Sequence, residues 1–245
     1  MQFDLNVERR VMKTKKILTD EHKKLDIDLW IIALTATAVF VVYAMIGSRL
    51  MTFCKDSSIS VWPRLFAAAS MQFGIAGLGI TIVCILRKKT FPSFGLKKEN
   101  LLKAIGATIL CFVPYIIYIF VSGQFEGYEP LSIMVTPDLH KTGIIATIIG
   151  TLVIALFWGF FEGFNYAVIC NIIDRRYPVN SKFFSWGALV CTLMGILFHP
   201  MSFDLLGILE LITTFIALYG MLIIYKHTRN AWGCVFAFLF IWNAI

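Results

Sequence analysis

Charge is what this chain has least of. Only 15% of its 245 residues are Asp, Glu, Lys or Arg, against about a quarter in soluble domains. There are seven prolines, no detectable internal repeat and no low-complexity linker. The six cysteines form no CxxC pair. Cys84, Cys111, Cys170, Cys191 and Cys234 fall in apolar segments, where cysteine behaves as a small hydrophobe, so neither a disulfide nor a cysteine metal site is expected. Residues 1–28 are charged along their length and contain no apolar stretch with a small-residue cleavage site, so this segment is not expected to be a signal peptide.

What the chain has instead is apolar length. Hydrophobic residues make up 58% of it, gathered in blocks long enough to cross a bilayer, which takes roughly 20 residues. The expected fold is an all-α, polytopic transmembrane bundle. About seven spans are expected, near 29–50, 65–86, 101–121, 143–171, 182–200, 205–225 and 231–245. A basic cytoplasmic N-terminal segment, 1–28, precedes the bundle, 29–245. The stretch Lys97–Lys103 reads as an interfacial helix and 122–142 as an outer cap. Residues 1–28, 87–103, 172–183 and 226–230 hold 18 of the 22 basic residues. Lys and Arg favour cytoplasmic loops, which places the N-terminus inside and the C-terminus outside. The net charge of +7 is therefore a topology signal facing the lipid bilayer, and no nucleic-acid partner is implied.

One acid breaks the apolar pattern. Glu162 lies in GIIATIIGTLVIALFWGFFEGFNYAVICN, residues 143–171, which has no other charged residue. Placing a carboxylate there costs about 2.5 to 3.5 kcal/mol on insertion scales. At about 1.5 Å rise per residue, Glu162 lies roughly 20 Å from the basic flank at Arg175, His199 roughly 25 Å from Lys182, and Asn243 roughly 21 Å from Arg229. An acid, an imidazole and an amide at one depth can form a site: Glu162 and His199 as general bases or metal ligands, Asn243 as an oxyanion donor. Asn165 and Tyr166 flank the acid as candidate substrate-binding residues. Asp204 and Glu210 are candidate substitute ligands. Taken singly, each residue has a plainer reading: a buried paired acid, a helix-end histidine, an interhelical amide. Gly159 and Gly163 form a GxxxG that brings another helix close.

Four pieces, in order, resemble the CAAX protease and bacteriocin-processing (CPBP) family of intramembrane metal-dependent endopeptidases. FGLKKENLLKAI resembles its lead-in. FFEGFNYA stands where the family has EExxxR. GILFH stands where it has FxxxH. RNAWGCVFAFLFIWNAI resembles the closing G-N-x-W-a-x-x-x-x-H-x-x-x-N. The similarity covers a core of about residues 90–245. If Glu162 takes the first acid position, Gly163 and Ala167 replace the second acid and the arginine; if the second, Phe161 and Tyr166 stand in for the first acid and the arginine. Gly195 replaces the phenylalanine and Leu239 the third-motif histidine, while His199 and Asn243 are kept. The resemblance implies an endopeptidase of a cell membrane acting on a peptide or membrane-protein substrate. It further implies water activation by Glu162 and His199, which would also be ligands of a divalent metal, zinc for preference, and an oxyanion held by Asn243. The alternative is an inactive relative that binds peptides as an immunity or scaffolding protein. A small proton- or cation-coupled transporter centred on Glu162 is a third reading.

Overall fold

A computed structural model describes residues 19–197, 202 and 204–245; residues 1–18, most of the N-terminal segment, lie outside the described residues, as does His199. The described chain is helical, without a strand. Helix α1 runs Asp20–Lys55, α2 Val61–Ala76, α3 Leu78–Arg87, α4 Leu101–Ser122 and the short α5 Thr136–His140. Then come α6 Ile144–Arg176, α7 Trp186–Leu197, α8 Leu205–Thr228 and α9 Trp232–Trp242. Four of these, α1, α4, α6 and α8, are long and apolar enough to cross a membrane. The pair α2–α3, bent by 57°, makes a fifth if counted as one span. The bend falls at Gly77, where a Cβ would meet the Phe73 ring and come within 2.9 Å of Phe161. The described part of α7, and α9, are shorter apolar helices.

The core lies between α4, α6, α8 and α9, around Phe112, Phe164, Leu218, Met221 and Phe238. Helix α4 packs along α8, and α9 wedges between α4 and α6. Outward faces are apolar too. Only 6% of the most apolar window of α1 is buried, and Leu34, Val41, Val42 and Met45 are exposed. A continuous apolar exterior of this size calls for hydrocarbon around it. The first helix has its N-cap in Thr19, whose Oγ1 accepts from the His22 N–H.

Polar side chains gather at the two ends. At one end, Arg87 pairs with Asp28 at 2.7 Å, and Arg175 and Arg176 pair with Glu21 and Asp26, each at 2.6 Å. Lys226 Nζ there donates to the Ser181 and Phe184 carbonyls. The four segments rich in basic residues thus share one end, as far as they are described. At the other end Arg64, buried, donates to Asp138 Oδ2 at 2.9 Å. Ser57 and Lys141 hold the same carboxylate.

Of the interfacial helix expected at Lys97–Lys103 only residues 101–103 are helical, as the start of α4; residues 97–100 are not, and Asn100 lies in the left-handed region (φ 58°). The reason is Asn230. Its buried amide donates to the Lys97 carbonyl at 2.8 Å and the Glu99 carbonyl at 2.7 Å, which takes these groups out of a helical ladder. Gly95 (φ 102°) turns the chain beneath it and accepts from the Ala231 N–H at 2.8 Å. The lead-in segment and the closing segment are therefore fastened to each other. The 122–142 stretch does lie across the opposite end, bonded through the Glu129 N–H to the Ala244 carbonyl at 2.9 Å.

Candidate functional site

Two stretches of widened helix face each other in mid-bundle. In α6 the residues Ala155–Phe161 form a π-helical segment that ends at Glu162. In α9 Phe238–Trp242 form another, ending at Asn243. Such segments are rare and concentrate at functional sites. The segments touch because Gly159 and Gly163 have no side chains. A Cβ on Gly163 would lie 2.6 Å from the Cys234 carbonyl oxygen and 2.8 Å from Val235 Cα, and one on Gly159 would run into Leu239. The GxxxG does bring a second helix close, and that helix is α9.

This approach places Asn243 against Glu162. Asn243 Nδ2 lies 3.4 Å from Glu162 Oε2, 3.2 Å from the Trp158 carbonyl and 3.3 Å from the Phe238 carbonyl. A third residue, Gln72 on α2, donates to the same Oε2 at 3.0 Å. Sequence reasoning missed Gln72. Its signal was present: an amide in the middle of an apolar run, on the helix that bends beside α6.

Tyr166, one turn along α6, stacks on Phe238 with ring centroids 5.1 Å apart. Its hydroxyl occupies the space left by Gly195, where a Cβ would lie 2.7 Å away. Asn165 is half-buried and makes no hydrogen bond to a described residue. Asp204 and Glu210 have other partners. Asp204 Oδ1 caps α8, accepting from the Gly207 N–H at 2.8 Å, and Glu210 accepts from the Tyr118 hydroxyl at 3.3 Å. The capping N–H of Gly207 and the Ser202 hydroxyl hold the Asp204 carboxyl below its ordinary pKa. Among the described residues no three His, Cys, Asp or Glu side chains gather as a metal site.

Asn243 also lines a cavity of ≈ 390 Å³, together with Leu131, Ser132, Met134, Trp158 and Trp242. On the other side of the acid, toward the basic end, aromatic rings close the bundle. Phe73 packs on Phe161 at 5.0 Å and Phe91 on Phe164 at 5.2 Å. The site thus has a packed floor of rings and an open flank toward the 122–142 segment.

The π segment of α9 ends at Asn243, and Leu239 within it covers Gly159. No protein-family model matches the chain, and no curated protein or solved structure matches it.

Proposed function

We propose that this chain is a seven-span cell-membrane protein with a cytoplasmic N-terminus, a divergent CPBP-type protein that hydrolyses a peptide or membrane-protein substrate within the bilayer. The observation that carries this reading is the meeting of Glu162 and Asn243, 81 residues apart in sequence, beside a cavity. The gathering of basic segments at one end supports the orientation.

In this reading the Glu162 carboxylate takes a proton from water, and the water oxygen attacks the carbonyl carbon of the scissile peptide bond. Asn243 has two N–H protons and three acceptors around it, so one N–H can turn to the forming oxyanion at little cost. The C–N bond then breaks as the proton held by Glu162 passes to the leaving nitrogen. His199, as the resemblance implies, assists the acid. Helix α6 packs on α7, the helix that leads toward His199: Gly187 lies on the backbone of Cys170, and the Cys191 thiol lies 3.8 Å from the Tyr166 carbonyl. A divalent metal would find Glu162 and His199 as ligands from this chain. That is one short of a catalytic zinc set, so water activation is assigned to the carboxylate.

Terminal-peptide mass spectrometry on membranes carrying wild type, Glu162→Gln or His199→Ala at matched levels tests the reading. It requires a new peptide terminus with wild type that is absent with both variants. Identical termini in all three, with all proteins inserted, would contradict it.

A second reading, a peptide-binding relative without catalysis, is favoured by one observation: Leu239 fills the space over Gly159 where the resemblance calls for a histidine. Peptide binding that persists in Glu162→Gln without any cleavage by wild type would support it.

A further inference from the structure

The cavity at Asn243 has two kinds of wall. One is the bundle itself, through Ile154, Trp158, Gly159, Phe238 and Trp242; the other is the loop residues Leu131 to Met134. Leu131 is a non-glycine residue in the left-handed region (φ 61°), an uncommon conformation for a branched side chain. It lines this cavity and also a second one of ≈ 410 Å³ on the far side of the loop, beside Glu129 and His140. The loop is therefore a partition with space on both faces. Before it, Phe125 to Tyr128 make no backbone–backbone hydrogen bond to described residues, and Phe125 and Tyr128 are exposed. Glu126 and Glu129 are exposed as well and form no ion pair among the described residues. By contrast, the basic end is closed to Glu162 by the rings of Phe91, Phe161 and Phe164.

We propose that the site is entered from the end carrying the 122–142 segment, by an extended peptide with a large apolar side chain in the cavity under Leu131–Met134 and a basic flank against Glu126 and Glu129. This rests on the hydrolase reading for what happens next, but not for the route. The occupant follows from complementarity. A hollow walled mainly by apolar side chains, with the Ser132 hydroxyl and the Asn243 amide as its polar side chains, takes an apolar side chain. Residues 125–128, without backbone–backbone hydrogen bonds to described residues, leave main-chain groups for an extended peptide to bond. Two exposed carboxylates on the segment that leads into the loop, Glu126 and Glu129, free of ion pairs to described residues, attract a cation.

The test uses the full chain in sealed vesicles and a charged, membrane-impermeant maleimide, with the unsubstituted protein as the blank for its native thiols. Ile245→Cys and, independently, Trp158→Cys report on the cavity. Gln124→Cys and Lys182→Cys report on the two ends. Either cavity cysteine should react from the Gln124 side and not from the Lys182 side. Ser132→Trp should slow that reaction by about tenfold, a change worth about 1.4 kcal/mol, without slowing Gln124→Cys. The peptide Lys-Lys-Leu-Phe-Leu amide should protect the cavity cysteine, and Glu-Glu-Leu-Phe-Leu amide should not. Reaction from the Lys182 side, no reaction from either side with both variants inserted, or equal protection by the two peptides overturns the proposal. Protection by the lysine peptide in a protein that cleaves nothing would remove the hydrolase reading and leave the route standing.

Discussion

The basic end and the middle of the bundle treat their polar groups in opposite ways. At the basic end Asn230, Asp174 and Tyr225 each have partners of their own. Asn230 gives its amide protons to two carbonyls and takes the Trp232 N–H on its oxygen. Asp174 holds the Ser185 hydroxyl and the Gly187 N–H at the start of α7, and Tyr225 donates to the Phe94 carbonyl at 3.0 Å. In the middle, Asn243 is shared among three acceptors and Gln72 leans on the same carboxylate oxygen. A saturated network fixes a fold; an over-subscribed amide beside a cavity has protons to redirect. The difference predicts that substitutions at the basic end cost stability, whereas those in the centre touch the proposed chemistry.

Substitutions can separate the two. The largest effect is expected from Glu162→Gln, which should lower peptide cleavage about 10²- to 10⁴-fold, the usual worth of a general base. The neutral amide can still accept from Gln72 and Asn243, so unfolding in bicelles should shift by less than about 1 kcal/mol. A comparable loss of stability would break the division between the regions. Asn230→Ala should do the reverse. Two carbonyls lose their buried donor, a cost of about 3 kcal/mol, visible as a lower melting temperature, while activity per folded molecule is retained.

Gly163→Ala sharpens the comparison, because it strikes both regions. Its methyl would press on the Cys234 carbonyl, costing about 1 to 3 kcal/mol as overpacking does, and would move α9, with Asn243, away from Glu162. Melting and cleavage should fall together. Asp204→Ala removes only a helix cap, a loss of about 1 kcal/mol, and should leave cleavage unchanged.

The end opposite the basic one should respond to acid. Lys141 first, then the Ser57 hydroxyl and Arg64, hold the Asp138 carboxyl well below its ordinary pKa. A carboxylate lowered on folding stabilises fully above its unfolded value, about 3.9. That contribution is lost as the pH falls below it toward the folded value. Melting curves taken from pH 6 to pH 3 should decline more steeply for wild type than for Asp138→Asn. Parallel curves would remove Asp138 from the account.

Much of this was legible in the sequence because it depends on composition. The apolar blocks, the division of the basic residues and the isolated acid are one-dimensional signals, and Glu162 and Asn243 could be placed at one depth by counting. The interfacial helix was misread because its fate depends on Asn230, more than 125 residues away, and local propensity carries no trace of that partner. Gln72 was missed because one amide in an apolar run gives no direction. The π turns were invisible because their sequences are those of ordinary apolar helix. His199 and Pro200 lie outside the described residues, and their part in the proposal rests on sequence.

The meeting of Glu162 and Asn243 is the claim on which the rest depends, and a double-mutant cycle measures it most directly. Unfolding free energies in bicelles would be compared for wild type, Glu162→Leu, Asn243→Leu and the pair. Contact predicts a coupling of about 0.5 kcal/mol or more, beyond the roughly 0.3 to 0.5 kcal/mol scatter of independent sites. Strict additivity would place the two residues apart and contradict the site.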